Sequence, residues 1–356
     1  MAVIMENSFT KRDTNICKGI AILFMILHHC VGKYYNVFDI SWYAENSTGI
    51  FSLFILFLST AGKVCVSIFS ILSGFGITKS YISYSNSAHT IKYKNIKFVL
   101  SNLLRFYSIY IACFIVEFLN LAIRMKEQLL PFYSINYSIK EAICFFLLDI
   151  SGISQFFQIP KLFENWYIHV IILFYFLFPL LQFITKKLRI AAVFISLLPG
   201  IIVTCRGESI PNEFIFYIFP FVVGIYIAQN NVFDRLNKYR GRKASVISAL
   251  LFCAFFALRL VFAIPIDCFF GLSIILFEFF VFSQTKGASG ILEYLGKYSA
   301  DLWLLHIMYI DMSSRLSLRF LRSFVMSLLL SIGIESVKDV SGFNGLIKRL
   351  RKKLCS

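Results

Sequence analysis

The chain has 356 residues, of which 58% are hydrophobic and 15% charged, with 41 Phe and a mean hydropathy of +0.75. Soluble domains carry about 45–50% apolar and about 25% charged residues, so a water-soluble fold is excluded: too little polar surface remains to cover the core. The formal net charge of +16 sits in short clusters between apolar runs, and no basic stripe crosses a folded polar block. The expected partners are therefore the lipid bilayer and phosphate-bearing ligands, with no nucleic acid.

A membrane-crossing helix needs roughly 20 apolar residues. In chain order such runs fall at 16–36, 61–79, 98–120, 164–184, 188–205, 212–229, 244–264, 266–284, 298–314 and 316–335. The first follows "KRDTNICK" without a small-residue cleavage site and is expected to remain as a signal anchor. The apolar piece at 142–153 is too short to cross and reads as re-entrant or interfacial.

Charge decides the threading. If 142–153 does not cross, the clusters Lys11/Arg12/Lys18, Lys79/Lys92/Lys94/Lys97, Lys186/Lys187/Arg189, Arg235/Lys238/Arg240/Arg242/Lys243, Lys286/Lys297 and the tail "KRLRKK" all share the cytoplasmic side. The expectation is an all-α, polytopic integral membrane protein of about ten spans, N-in and C-in, forming one membrane domain over residues 1–356. The nine Cys are scattered with no CxxC pair, so neither a zinc nor a redox signature is present and no metal is expected.

Ionisable residues inside spans mark functional sites by default, because each costs at least a few kcal/mol unless it meets a cavity or a partner. Here they are His28, His29, Arg105, Glu117, His169, Glu278, Asp301 and His306. Counting about 1.5 Å per residue from the cytoplasmic start puts His29 about 20 Å along its helix, in the outer half. His169 and Glu117 fall in the same layer, and His306 nearer mid-membrane. Lys18, Arg105 and the 79–97 loop make a basic floor on the cytoplasmic side.

A neutral imidazole can take a proton from a hydroxyl and return it to a leaving group, and a basic floor suits an anionic, phosphate-bearing donor. Plainer readings stand beside these. A lone intramembrane His often bridges helices. His28 faces about 100° away from His29, so only one of the pair meets a given site. Glu117 near an interface also fits a snorkelling side chain, and Lys18 a positive-inside anchor. Gly74 and Gly76 in "SILSGFGITKS" suit close helix packing.

Four segments then occur in order. "KGIAILFMILHH" sets ten residues between Lys18 and His29; it is followed by "VSIFSILSGFGITKS" at 66–80, "NWYIHVIILFYFLFPLL" at 165–181 and "LGKYSADLWLLH" at 295–306. Together they resemble the membrane-bound acyltransferase family 3, which includes bacterial O-acetyltransferases acting on surface polysaccharides. In that family the first span usually carries Arg-x10-His, and the third often opens on Arg-x-x-Arg. Here Lys18 replaces the first arginine, and "NLLR" keeps only Arg105 of the pair.

The resemblance implies His29 as general base or transient acyl carrier, with His306 and His169 lining the cavity; His306 is expected as a further catalytic group, and so is Glu117, on its depth alongside His29. It implies Lys18 and Arg105 on the phosphates of acetyl-CoA or another acyl-CoA. The implied acceptor is a hydroxyl of a surface polysaccharide or its lipid-linked glycan precursor, at the bacterial inner membrane. The same spans and polar groups also fit a transporter or flippase for lipid-linked glycans, or an inactive family member retained for assembly.

Overall fold

The computed structural model describes residues 9–32, 62–87, 93–125, 128–157, 159–163, 167–206, 214–261, 266–282, 287–311 and 314–355. Every regular element among them is helical. In chain order these are α1 (Lys11–Gly32), α2 (Val64–Ser87), α3 (Lys94–Met125), α4 (Leu129–Tyr133), α5 (Ile139–Ile150) and α6 (Tyr167–Leu188). They continue with α7 (Ile190–Arg206), α8 (Phe214–Gln229), α9 (Val232–Leu236), α10 (Arg242–Val261) and α11 (Asp267–Phe280). The last are α12 (Gly287–Lys297), α13 (Ser299–Leu305), α14 (Leu316–Val340) and α15 (Phe343–Cys355).

Among the described residues α1, α2, α3, α6 and α14 are long and apolar enough to cross a membrane, and α8 qualifies when joined to the segment from Val232 to Tyr239, from which it is bent by 62°. The 142–153 piece lies largely in α5, which has 12 residues and rises only about 18 Å, too little to cross. The run at 298–314 is not one continuous helix. Tyr298 interrupts α12 and α13, α13 has 7 residues, and a 3-10 turn follows at His306–Tyr309.

The described residues divide into two compact units: 1–83 with 180–326, and 84–179 with 327–356. In the first unit α1 opens on a reciprocal cap. The Thr10 amide donates to Asp13 Oδ2 (2.6 Å) and the Asp13 amide to Thr10 Oγ1 (3.3 Å), so two amides that the first helical turn cannot pair are satisfied. Beyond the cap, α1 lies against α12 at near backbone contact. A Cβ on Gly19 would fall 2.1 Å from the Leu292 carbonyl oxygen, and one on Gly296 would fall 1.9 Å from that of Asn15. The crossing of α2 and α8 repeats the device: a Cβ on Gly74 would lie 2.1 Å from Phe221 O, and one on Gly224 2.1 Å from Ile71 O. Small residues at such crossings let helix backbones approach where lipid supplies no hydrophobic drive.

In the second unit α3 carries an aromatic column at helical spacing, Phe106, Tyr110, Phe114 and Phe118, with successive ring centroids 5.9, 6.0 and 6.4 Å apart. Phe146 of α5 packs onto Phe114 and Phe118. The end of α5 is fixed by Asp149, whose buried carboxylate accepts from Tyr133 Oη (2.8 Å), the Leu162 amide (2.6 Å) and Ser154 Oγ (3.2 Å). Tyr110 Oη donates to the Asp149 carbonyl (2.6 Å), joining this knot to the α3 column. α15 docks on α3 through Arg351, which donates to Ser101.

Candidate functional site

His29 lies near the C-terminal end of α1, and His306 begins the 3-10 turn after α13. The structure brings them together: His29 Nδ1 and His306 Nε2 are 2.8 Å apart, and the rings are nearly parallel, 17° apart with centroids at 4.9 Å. This corrects the depth count. The count sets His306 nearer mid-membrane than His29, but the contact puts the two rings at one level.

The surroundings of His306 fix the proton positions. Its Nδ1 faces two carbonyl oxygens, Leu302 O at 3.0 Å and Trp303 O at 2.9 Å, which only accept. His306 Nδ1 must therefore carry a hydrogen. In the neutral ring the Nε2 then holds the lone pair and accepts from His29 Nδ1–H. That places the lone pair of His29 on Nε2, the nitrogen turned away from its partner. His306 is fully buried while His29 is partly accessible.

Two residues of α14 hold this arrangement. Ser323 Oγ donates to the His306 carbonyl (2.7 Å). The buried Arg319 donates to three carbonyl oxygens: Cys30 at 2.7 Å, beside His29, Ser314 at 3.0 Å and Asp311 at 3.2 Å. One guanidinium thus ties the end of α1 to the segment that follows the His306 turn. Sequence reasoning missed both residues. An arginine and a serine inside an apolar run were the available signal, but "SRLSLRFLRSF" reads equally as a membrane-boundary segment.

The other expected site residues fall elsewhere. Lys18 is half-buried on α1 in the first unit. Glu117 and Arg105 belong to α3 in the second unit. Glu117 is fully buried, and one of its bonds comes from Asn120 Nδ2, on its own helix at 3.1 Å. Arg105 is exposed, and Asn102 turns its amide back to Phe98 O (2.8 Å). His169, also in the second unit, is buried edge-on against Phe156 at 4.9 Å. Glu278 is buried in the first unit with the Cys17 thiol 3.7 Å from its Oε2. A small recess in that unit is lined by residues including Ser67, Tyr217, Phe219 and Cys268, and by neither histidine of the pair.

Apolar helices of spanning length, with a hydrogen-bonded imidazole pair held near the end of one of them, define a helical membrane protein. Residues 12–335 match the acyltransferase domain profile of family 3, nearly the whole chain, and the chain belongs to that family: it is a membrane acyltransferase. No curated protein and no solved structure matches it.

Proposed function

We propose that the chain moves an acetyl or other short acyl group from cytoplasmic acyl-CoA to a hydroxyl of a surface polysaccharide or its lipid-linked precursor. The protein would lie in a bacterial inner membrane with about ten spans and both termini inside, the threading that keeps its basic clusters on one face. The observation that carries the reading is the geometry of the histidine pair: with two carbonyl oxygens on its Nδ1, His306 accepts a hydrogen bond at Nε2 from His29 Nδ1–H, which leaves His29 Nε2 as the basic nitrogen.

In this reading the acceptor hydroxyl gives its proton to His29 Nε2 as its oxygen attacks the thioester carbonyl. The tetrahedral adduct collapses, the C–S bond breaks, and the departing thiolate takes the proton back from His29. His306 touches neither substrate. It orients His29 and accepts a hydrogen bond that strengthens as the imidazolium forms, the service a third group performs in a catalytic triad. Lys18 lies on the same helix, about 16 Å from His29 by helical rise, and is assigned to the donor phosphates. Arg105 is assigned the same ligand class.

The test is a deletion strain complemented with wild type or His29→Ala, its surface glycan read by proton NMR. O-acyl signals lost in the deletion, and restored by wild type but not by His29→Ala, support the assignment. Restoration by His29→Ala at the normal rate would sink it. A glycan unchanged in structure but reduced in amount would point to transport instead.

A further inference from the structure

Arg351 lies outside the matched span of residues 12–335 and on a helix that the acyltransfer reading does not use. On α15, "FNGLIKRLRKKLC", the neighbouring cations Lys348, Arg349, Lys352 and Lys353 are exposed, whereas Arg351 is turned inward. Its Nε donates to the carbonyl oxygen (3.0 Å) and to Oγ (3.3 Å) of Ser101 on α3. That engages one of five guanidinium hydrogens. Arg105 stands one helical turn beyond Ser101 on the same face of α3. Among the described residues no carboxylate pairs with either arginine.

Arg351 is thus held against the turn of α3 that leads to Arg105, and among the described residues neither arginine has a carboxylate to balance it. Burial and the adjacent Arg105 charge together pull the Arg351 pKa below its ordinary value. Tyr175 of α6 lies within electrostatic reach of both. Asn102, between Ser101 and Arg105 in sequence, has its amide turned to its own helix and adds no charge. Such a pair is relieved by an anion with several acceptor oxygens, because each planar fork offers parallel N–H donors.

We propose that Arg351 and Arg105 form a two-arginine phosphate site, filled by a phosphate of the acyl-CoA donor. The assignment to the donor rests on the acyltransfer reading; the phosphate site does not, since a phospholipid headgroup offers the same chemistry.

The full chain, in nanodiscs of phosphatidylcholine, is titrated calorimetrically with coenzyme A. Arg351→Ala and Arg105→Ala are each expected to weaken binding about tenfold, the loss of one charge-assisted phosphate contact. The double variant is expected to fall little further, and Lys348→Ala, an exposed charge on the same helix, to match wild type. If Arg351→Ala does not fold, Arg351→Lys keeps the charge but not the fork and still weakens binding severalfold.

A second arm measures thermal stabilisation by added phosphatidylglycerol. Unchanged coenzyme A binding, with lipid stabilisation lost in both arginine variants, keeps the site and assigns it to a headgroup. If wild type binds no coenzyme A while that lipid dependence holds, the donor reading fails and the site survives. Folded Arg351→Ala or Arg351→Lys equal to wild type in both arms overturns the proposal.

Discussion

His306 Nε2 accepts from His29 Nδ1 across 2.8 Å, and the direction of that bond is set by two backbone carbonyls behind His306. Under the proposed mechanism, removing the base and removing its orienting partner should therefore differ in kind. His29→Ala is expected to lower kcat by about a thousandfold, within the range for general-base loss. His306→Ala should lower kcat by about ten- to a hundredfold with KM nearly unchanged. The double variant should be no slower than His29→Ala alone, because the two act as one unit. Steady-state acyl transfer by purified protein separates these outcomes, and additive losses would show that His306 acts independently.

Arg319 spends its donors on the carbonyls of Cys30, Asp311 and Ser314. Arg319→Met leaves those three carbonyls, the buried one of Cys30 among them, without that donor and should destabilise the protein by about 2–4 kcal/mol. Arg319→Lys keeps the charge but cannot bridge three oxygens, and should recover only part of the stability and of kcat. Thermal unfolding in detergent, paired with activity, reads both.

Gly74 and Gly76 differ sharply in surroundings although two residues apart. A Cβ at Gly74 would strike Phe221 O at 2.1 Å, whereas one at Gly76 meets nothing within 4 Å. Gly74→Ala should therefore cost about 1–3 kcal/mol by forcing α2 and α8 apart. Gly76→Ala should be neutral, or stabilising by up to about 1 kcal/mol through helix propensity. Equal unfolding temperatures for the two variants would contradict the crossing.

Glu141, in the first turn of α5, accepts from the Asn136 amide (2.9 Å) and Ser134 Oγ (2.8 Å), and these bonds hold its carboxyl below the ordinary carboxylate range. A depressed folded-state pKa means that the contribution is present above the unfolded value and lost as pH falls through the folded one. Hydrogen exchange of the 134–142 backbone, corrected for intrinsic rate, should accelerate below the pH at which free glutamate titrates. Glu141→Gln should remove that pH dependence.

Hydropathy located the helices because a bilayer demands about 20 apolar residues and little else. It was blind to breaks. The run at 298–314 gave no sign of the interruption at Tyr298 or the turn at His306, since an unravelled stretch can be as apolar as a helix when carbonyls and a serine hydroxyl satisfy one another. The spacing of Lys18 and His29 singled out His29, but nothing in composition joined it to His306. Gly74 and Gly76 looked alike as letters; only the neighbouring backbone separates them. In the sequence Arg351 is one of a string of tail charges, and its contact with Ser101, 250 residues earlier, is a tertiary fact with no local trace.

That contact has a practical side for anyone handling the protein. Trimming residues 343–355 to improve expression, or fusing a bulky reporter close behind them, would do more than shorten a loose end: α15 leans on the arginine-bearing stretch of α3. A preparation altered there could insert, fold and purify normally and still lack the Arg351 contact, and any fault that follows would be misread as a property of the natural chain.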